Sequence, residues 1–152
     1  DHIYSSNANR AKQTTQILCR ILKLSSSNIL YVPDLLEISQ GEWEGKLTQD
    51  TPFNNKSLIR PFWDFSAPGG ETLKDVEERM YNFWNNHICS LSSTDTVLIV
   101  SHNTAIKCLL KKLLGLNKQG FEKIKLKNSS LSKIEFGPNG VDTFTVNDHS
   151  FL

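Results

Sequence analysis

The sequence predicts a three-layer α/β fold, a doubly wound and mostly parallel sheet with helices on both faces. Three observations carry that expectation. The run Thr96-Val97-Leu98-Ile99-Val100 is apolar, rich in β-branched residues and unbroken, the pattern of a strand buried on both faces of a parallel sheet. Near the start, Ile3-Tyr4-Ser5-Ser6 reads as a strand that passes within a few residues into apolar positions at helical spacing, half of a strand-helix unit. Of the 152 residues, 38% are hydrophobic and 22% charged, with no internal repeat or low-complexity block, so one globular domain over residues 1–152 accounts for the chain.

The elements follow in order. Residues 8–23 place Ala11, Ile17, Leu18, Ile21 and Leu22 on a helical face, with Ser6 or Asn7 available as N-cap. Ile29-Leu30-Tyr31-Val32 reads as a short strand ended by Pro33. Residues 34–71 then carry Gly41, Gly45, Pro52, Pro61, Pro68, Gly69 and Gly70 among aromatic residues, a long connection of the kind that serves as a lid or insertion. Leu73, Val76, Met80, Phe83 and Trp84 repeat at helical period from Thr72 to about Cys89, behind the start signal Glu71-Thr72. The apolar strand 96–100 stops at Ser101-His102-Asn103, before a helix from Ala105 to Leu114 that Gly115 closes. Phe121 to Leu126, Ser130 to Phe136 and Val141 to Val146 are expected as strands, the last two joined by the turn Gly137-Pro138-Asn139-Gly140.

Charge and cysteine content narrow the function classes. Seventeen basic residues balance 16 acidic ones, so no broad field favours nucleic acid or an anionic membrane, and a small ligand has to be read locally. Cys19, Cys89 and Cys108 are too widely spaced for a disulfide framework or a zinc site, and read as reduced core thiols of a cytoplasmic protein. No apolar run approaches the roughly 20 residues that span a bilayer. His2, His87 and His149 lack the neighbours of a metal site and read as surface histidines, so no metal is expected.

In open α/β sheets, ligands bind beyond the carboxyl ends of the strands, where helix N-termini turn unpaired N–H groups toward an anion. Arg10, just past the first strand, and His102, just past the most apolar one, both lie at such positions. A guanidinium fork suits phosphate oxygens, and an imidazole there can hydrogen-bond a phosphoryl group or counter its charge. The alternatives are a solvated arginine and a histidine that caps its helix. Glu71, behind Pro68-Gly69-Gly70, is placed to protonate a leaving oxygen or, equally, to favour the dipole of the helix it precedes. Glu37 and Glu44, flanking Trp43, either form ion pairs that brace their loop or join the pocket, with bracing the preferred reading.

Five segments in this order resemble the histidine phosphatase superfamily, the phosphoglycerate-mutase-like proteins. They are Ile3-Tyr4-Ser5-Ser6 continuing through Arg10 to Thr14; Leu36-Glu37 with Gly41-Glu42-Trp43-Glu44-Gly45; Pro68-Gly69-Gly70-Glu71-Thr72; Val97-Leu98-Ile99-Val100-Ser101-His102; and Asn128-Ser129-Ser130 with Val146-Asn147-Asp148. The resemblance implies a phosphate pocket of Arg10, His102 and Asn103, with His102 and Glu71 catalytic and Glu71 the proton donor. It implies a small phosphorylated substrate, phosphoryl transfer through a phosphohistidine, and neither a metal nor an organic cofactor.

One departure is large. The family's attacking histidine belongs to an Arg-His-Gly motif, and no Arg-His-Gly occurs in these 152 residues. The resemblance therefore implies a domain lacking its first strand and helix, truncated at its N-terminus and inactive by itself. The alternatives it leaves are an inactive member that binds a phosphorylated ligand or partner, and a mutase that passes phosphate between hydroxyls.

Overall fold

Alternation along the first strand sorts its side chains between two helical layers. In the computed structural model, which describes residues 1–51, 63–138 and 140–151, β1 (His2–Ser6) turns Ile3 to one face and Tyr4 to the other. Ile3 meets Cys19 of α1 (Asn9–Ile21), Ile29 of β2 (Ile29–Val32) and Leu98 of β3 (Val97–Val100). Tyr4 joins a larger core with Val76, Met80 and Phe83 of α2 (Leu73–His87) and Ala105, Cys108 and Leu109 of α3 (Asn103–Leu113). One helix on one face and two on the other give the three layers expected. Val76, Met80 and Phe83 are 0% exposed, and each stabilises the fold by roughly 1.5–3 kcal/mol, an upper bound for such burial.

The three strands run parallel in the order β2-β1-β3, with Ile3 opposite both Ile29 and Leu98. From β1 the chain moves outward to β2, then returns past β1 to β3, so the direction of connection reverses between β1 and β3. That reversal puts a crevice at their carboxyl ends. Farther along lie α4 (Lys118–Lys123) and an antiparallel pair, β4 (Leu131–Gly137) and β5 (Gly140–Asp148), that forms a separate sheet.

Local sequence explains the main boundaries. Thr72 caps α2, its hydroxyl accepting from Asp75 N (3.1 Å) while the Asp75 carboxylate accepts from Thr72 N (2.8 Å). This reciprocal pair is worth about 1 kcal/mol. Gly115 closes α3 at φ +63°, a left-handed turn that glycine adopts without a Cβ clash.

Four expectations change. The N-cap of α1 is Ala8 rather than Ser6 or Asn7, because the Ser6 hydroxyl accepts from Ala8 N (3.3 Å) and turns the chain one step later. Residues 118–123 are helical where a strand was expected from Phe121, since Asn117 Oδ1 accepts from Gly120 N (2.8 Å) and starts a turn that seats Phe121 in the core. The four residues of β3 are each half-buried rather than enclosed, because β3 is the last strand of its sheet among the described residues. Cys89 is exposed, lying past the end of α2, whereas Cys19 and Cys108 are buried. Of the connection expected over 34–71, residues 52–62 with Pro52 and Pro61 lie outside the described residues, as does Asn139 of the 137–140 turn.

Candidate functional site

At the crevice, β1 ends in Ser6 and β3 leads through Ser101 into His102. The His102 ring is 8% exposed and bridges the two strand ends. Arg10 Nε and Nη2 both donate to its Nδ1, at 3.2 and 3.0 Å. Arginine can only donate, so Nδ1 is the unprotonated nitrogen and Nε2–H donates to Ser6 Oγ at 2.8 Å. The imidazole is neutral in this arrangement. Burial lowers its pKa below the ordinary histidine value, and the charges of Arg10 and Arg79 push the same way against the opposing carboxylate of Glu37.

His102 occupies the N-cap position of α3 but makes no side-chain capping bond. Glu37 supplies one instead, its Oε2 accepting from Thr104 N at 3.2 Å while Oε1 accepts from Ile38 N at 3.0 Å. The start of α1 also lacks a side-chain cap and has no acidic residue in its first turn. Two helix N-termini thus open onto one crevice, and Arg10 stands in the first turn of one of them. Beside them the Asn7 side-chain oxygen is buried without a hydrogen-bond partner among the described residues.

The segments around Gly41 and Gly70 are zipped together. Glu42 N donates to the Pro68 carbonyl (3.0 Å) and Glu71 N to the Ser39 carbonyl (2.9 Å). A Cβ on Gly41 would lie 2.2 Å from the Pro68 oxygen, so this approach requires glycine there. Glu44 braces the same loop through hydrogen bonds rather than an ion pair, its Oε1 accepting from Ser39 Oγ and Gln40 N, both at 3.1 Å.

The zipper fixes Glu71. Its carboxylate accepts from Ser39 N (2.9 Å) and takes two bonds from Arg79, Nε to Oε1 at 2.7 Å and Nη2 to Oε2 at 3.0 Å. Arg79 also donates to the Asp34 carbonyl, tying α2 to the turn after β2. Partial burial raises the Glu71 pKa, but the Arg79 and Ser39 hydrogen bonds and the Arg79 charge outweigh it and hold the carboxyl below its ordinary value. At rest Glu71 is an ionised partner of Arg79, not a standing acid.

The sequence-derived residues are therefore brought together in part. Arg10 and His102 are in direct contact, and Glu71 connects to them through Arg79, whose charge reaches His102. Asn103 does not join the pair, because its side-chain amide donates to the Leu126 carbonyl (3.0 Å) and anchors α3 to the approach to β4. From sequence, Ser6 and Asn7 read only as candidate caps of α1, and Arg79 is not singled out. Arg79 lies eight residues beyond Glu71, and a helical period at that spacing carries no sign of an ion pair. The other histidines lie elsewhere. His2 faces Asp95 (3.5 Å) at the opposite end of β1 from Ser6, His149 Nδ1 sits 2.8 Å from the Asn147 carbonyl, and His87 is half-buried against Tyr4 and Phe83 rather than on the surface. Among the described residues, no group of three or more His, Cys, Asp or Glu is arranged to hold a metal ion, and no helix is long and apolar enough to cross a membrane.

Fold and site together define an α/β protein with an arginine–histidine pair at the switch point of a parallel sheet. The chain belongs to the histidine phosphatase superfamily (branch 1), whose family model matches residues 1–149. It is 29% identical over 139 residues to the protein named "Probable phosphoglycerate mutase GpmB" of Escherichia fergusonii, a match covering 89% of this chain and 63% of that protein. The corresponding Salmonella paratyphi B protein is 28% identical over the same length. The chain thus spans about 63% of the length of the curated relatives it matches. Among solved structures, the α-ribazole phosphatase of Shigella flexneri superposes with a TM-score of 0.78 at 20% identity, over 97% of this chain and 73% of that one. A mycobacterial glucosyl-3-phosphoglycerate phosphatase in complex with inorganic phosphate gives 0.77 at 19% identity, over 97% and 75%.

Proposed function

We propose that this chain carries the phosphate-holding part of a phosphatase site for small phosphate monoesters, working through a phosphohistidine whose attacking imidazole is not among these 152 residues. The carrying observation is the Arg10–His102 pair where the uncapped start of α1 meets the start of α3. In this reading the phosphoryl oxygens take the Arg10 fork and the α1 backbone N–H groups, displacing the arginine from Nδ1. The added negative charge favours the protonated imidazole of His102, which then donates to a phosphoryl oxygen as well.

The chemistry has two halves. An attacking imidazole nitrogen forms a bond to phosphorus as the ester P–O bond breaks, and the departing oxygen takes a proton from Glu71. Water then attacks phosphorus, giving a proton to the Glu71 carboxylate as the P–N bond breaks, which releases phosphate and restores the imidazole. Glu71 is ionised at rest, and repulsion from a phosphoryl dianion raises its pKa, the direction a proton donor requires. The phosphatases among the solved relatives support hydrolysis, while the probable mutases among the sequence relatives keep transfer to a second hydroxyl in the same reaction class.

Calorimetric titration with inorganic phosphate tests the pocket. Binding to the wild-type chain that is lost in Arg10→Ala is expected, and binding indifferent to Arg10 overturns the assignment. Turnover of p-nitrophenyl phosphate by this chain should not exceed that of His102→Ala, and clear turnover refutes the claim that the attacking group lies outside it.

A further inference from the structure

Next to Glu71 lies a cavity of about 220 Å³, reaching from the zippered loops to α3. Its walls are apolar where Ile38, Trp43, Leu73 and Phe121 face it, and Glu71, Thr104 and Lys107 also line it. Thr104 is the residue whose N–H bonds Glu37, two positions after His102, so the cavity opens from the same helix start as the phosphate pocket. At this size it falls below the roughly 300–1,000 Å³ of sites for drug-sized ligands, and it suits a small group.

Lys107 is the unusual member. Its ammonium sits over the Phe121 ring, 4.2 Å from the centroid, and is half-buried. Lys111, Lys118 and Lys133 each pair with a carboxylate, at 2.6, 3.3 and 2.5 Å, whereas Lys107 makes no ion pair among the described residues. Glu122 is near enough to be felt electrostatically but not to bond, and residues 52–62 contain no Asp or Glu. Burial lowers the Lys107 pKa, and the Lys125 charge adds to the effect, both marks of a cation short of anionic company. A half-buried cation on an apolar wall is matched by an anion presented from inside the cavity.

Building on the phosphatase reading, we propose that this cavity is the leaving-group subsite, and that Lys107 selects phosphate monoesters whose alcohol has a small apolar body ending in an anionic group. The ester phosphate lies on Arg10 and His102, the apolar body lies between Trp43 and Phe121, and the terminal anion meets Lys107. Glu71, on the wall between them, faces the bridging oxygen.

The test compares the dissociation constants of phenyl phosphate and 4-carboxyphenyl phosphate, with inorganic phosphate and benzoate as single-site probes. In the wild-type chain the carboxylate should tighten binding about tenfold, in the range of one charge-assisted contact. That ratio should collapse to about one in Lys107→Met and persist in Lys107→Arg, while Arg10→Ala should weaken both esters and leave benzoate binding in place. A wild-type ratio near one, or a ratio unchanged in Lys107→Met, overturns the subsite. If inorganic phosphate binds in an Arg10-dependent way while the carboxylate adds nothing, the subsite fails and the phosphatase reading stands. If phosphate does not bind but benzoate does, through Lys107, the phosphatase reading fails and takes the leaving-group role of the cavity with it, while an anion site at Lys107 remains.

Discussion

Replacing Arg79 with methionine removes the cation that helps hold the Glu71 carboxyl below its ordinary pKa, while keeping an unbranched stem of similar reach. The structure sets the size of the effect. The guanidinium makes two bonds to Glu71, at 2.7 and 3.0 Å, and a third to the Asp34 carbonyl, and the Arg79 and Glu71 side chains are 17% and 26% exposed. Exposed ion pairs contribute about 0.2–1 kcal/mol, and breaking a fully buried one costs about 3–5 kcal/mol. A pair between those limits gives a loss of about 2 kcal/mol, which in a chain of this length lowers Tm by roughly 4–8 °C. The pH dependence adds a second signature. Because the folded-state pKa of Glu71 is depressed, its contribution is present above 4.5, the ordinary value, and is lost as pH falls through the folded value. Urea denaturation of both proteins from pH 7 downward should therefore show a gap that narrows below about pH 4.5. In the variant, burial is the main surviving influence, so the Glu71 carboxyl carbon should titrate at higher pH by NMR. A gap under 0.5 kcal/mol at neutral pH, or one that stays constant into acid, refutes the account.

Three further outcomes follow from single features. Gly41→Ala forces a Cβ to 2.2 Å from the Pro68 oxygen at φ +49°, and should destabilise the fold by at least about 2 kcal/mol by equilibrium denaturation, with Gly45→Ala, where no atom lies within 4 Å of the added carbon, less damaging. His102 has a folded-state pKa below 6.5, so the unfolded chain takes up its proton first on acidification, and stability should fall as pH drops from about 6.5 toward the folded value; His102→Gln should remove that part of the slope. A thiol reagent at pH 8 should modify Cys89 in the native protein and spare Cys19 and Cys108, since both are buried and burial, with Glu77 nearby, pushes the Cys108 thiol up to about 12; rapid labelling of Cys108 without unfolding would contradict its burial.

The layered fold was legible because its signals are local. Unbroken apolar residues at 97–100, a helical stripe at Val76, Met80 and Phe83, and a strand running directly into a helix near Arg10 are patterns a few turns long. Two elements misread from sequence depended on something else. Phe121 lies in a six-residue helix, too short to show a period, and only the bond of Asn117 to Gly120 N marks its start. For β3, composition reported the apolarity correctly and its burial incorrectly, because burial belongs to the neighbours a strand acquires and β3 has one paired strand among the described residues.

The candidate site divides along the same line. Arg10 and His102 could be placed from sequence because strand ends and helix starts converge at the reversal of a parallel sheet, and topology alone brings those positions together. Protonation states could not be placed that way. Glu71 in its glycine-rich loop reads as a proton donor, yet the donors that decide its charge come from Ser39, 32 residues earlier, and Arg79, two turns into α2. His102 reads as a phosphate ligand, yet its tautomer is set by Arg10 on one side and Ser6 on the other, both more than 90 residues away. A side chain's chemical type is local, whereas its pKa is set by contacts that only the folded chain supplies. The catalytic reading of Glu71 therefore depends on whether a bound phosphoryl dianion outweighs Arg79. The Arg79→Met titration measures how firmly Arg79 holds that carboxylate.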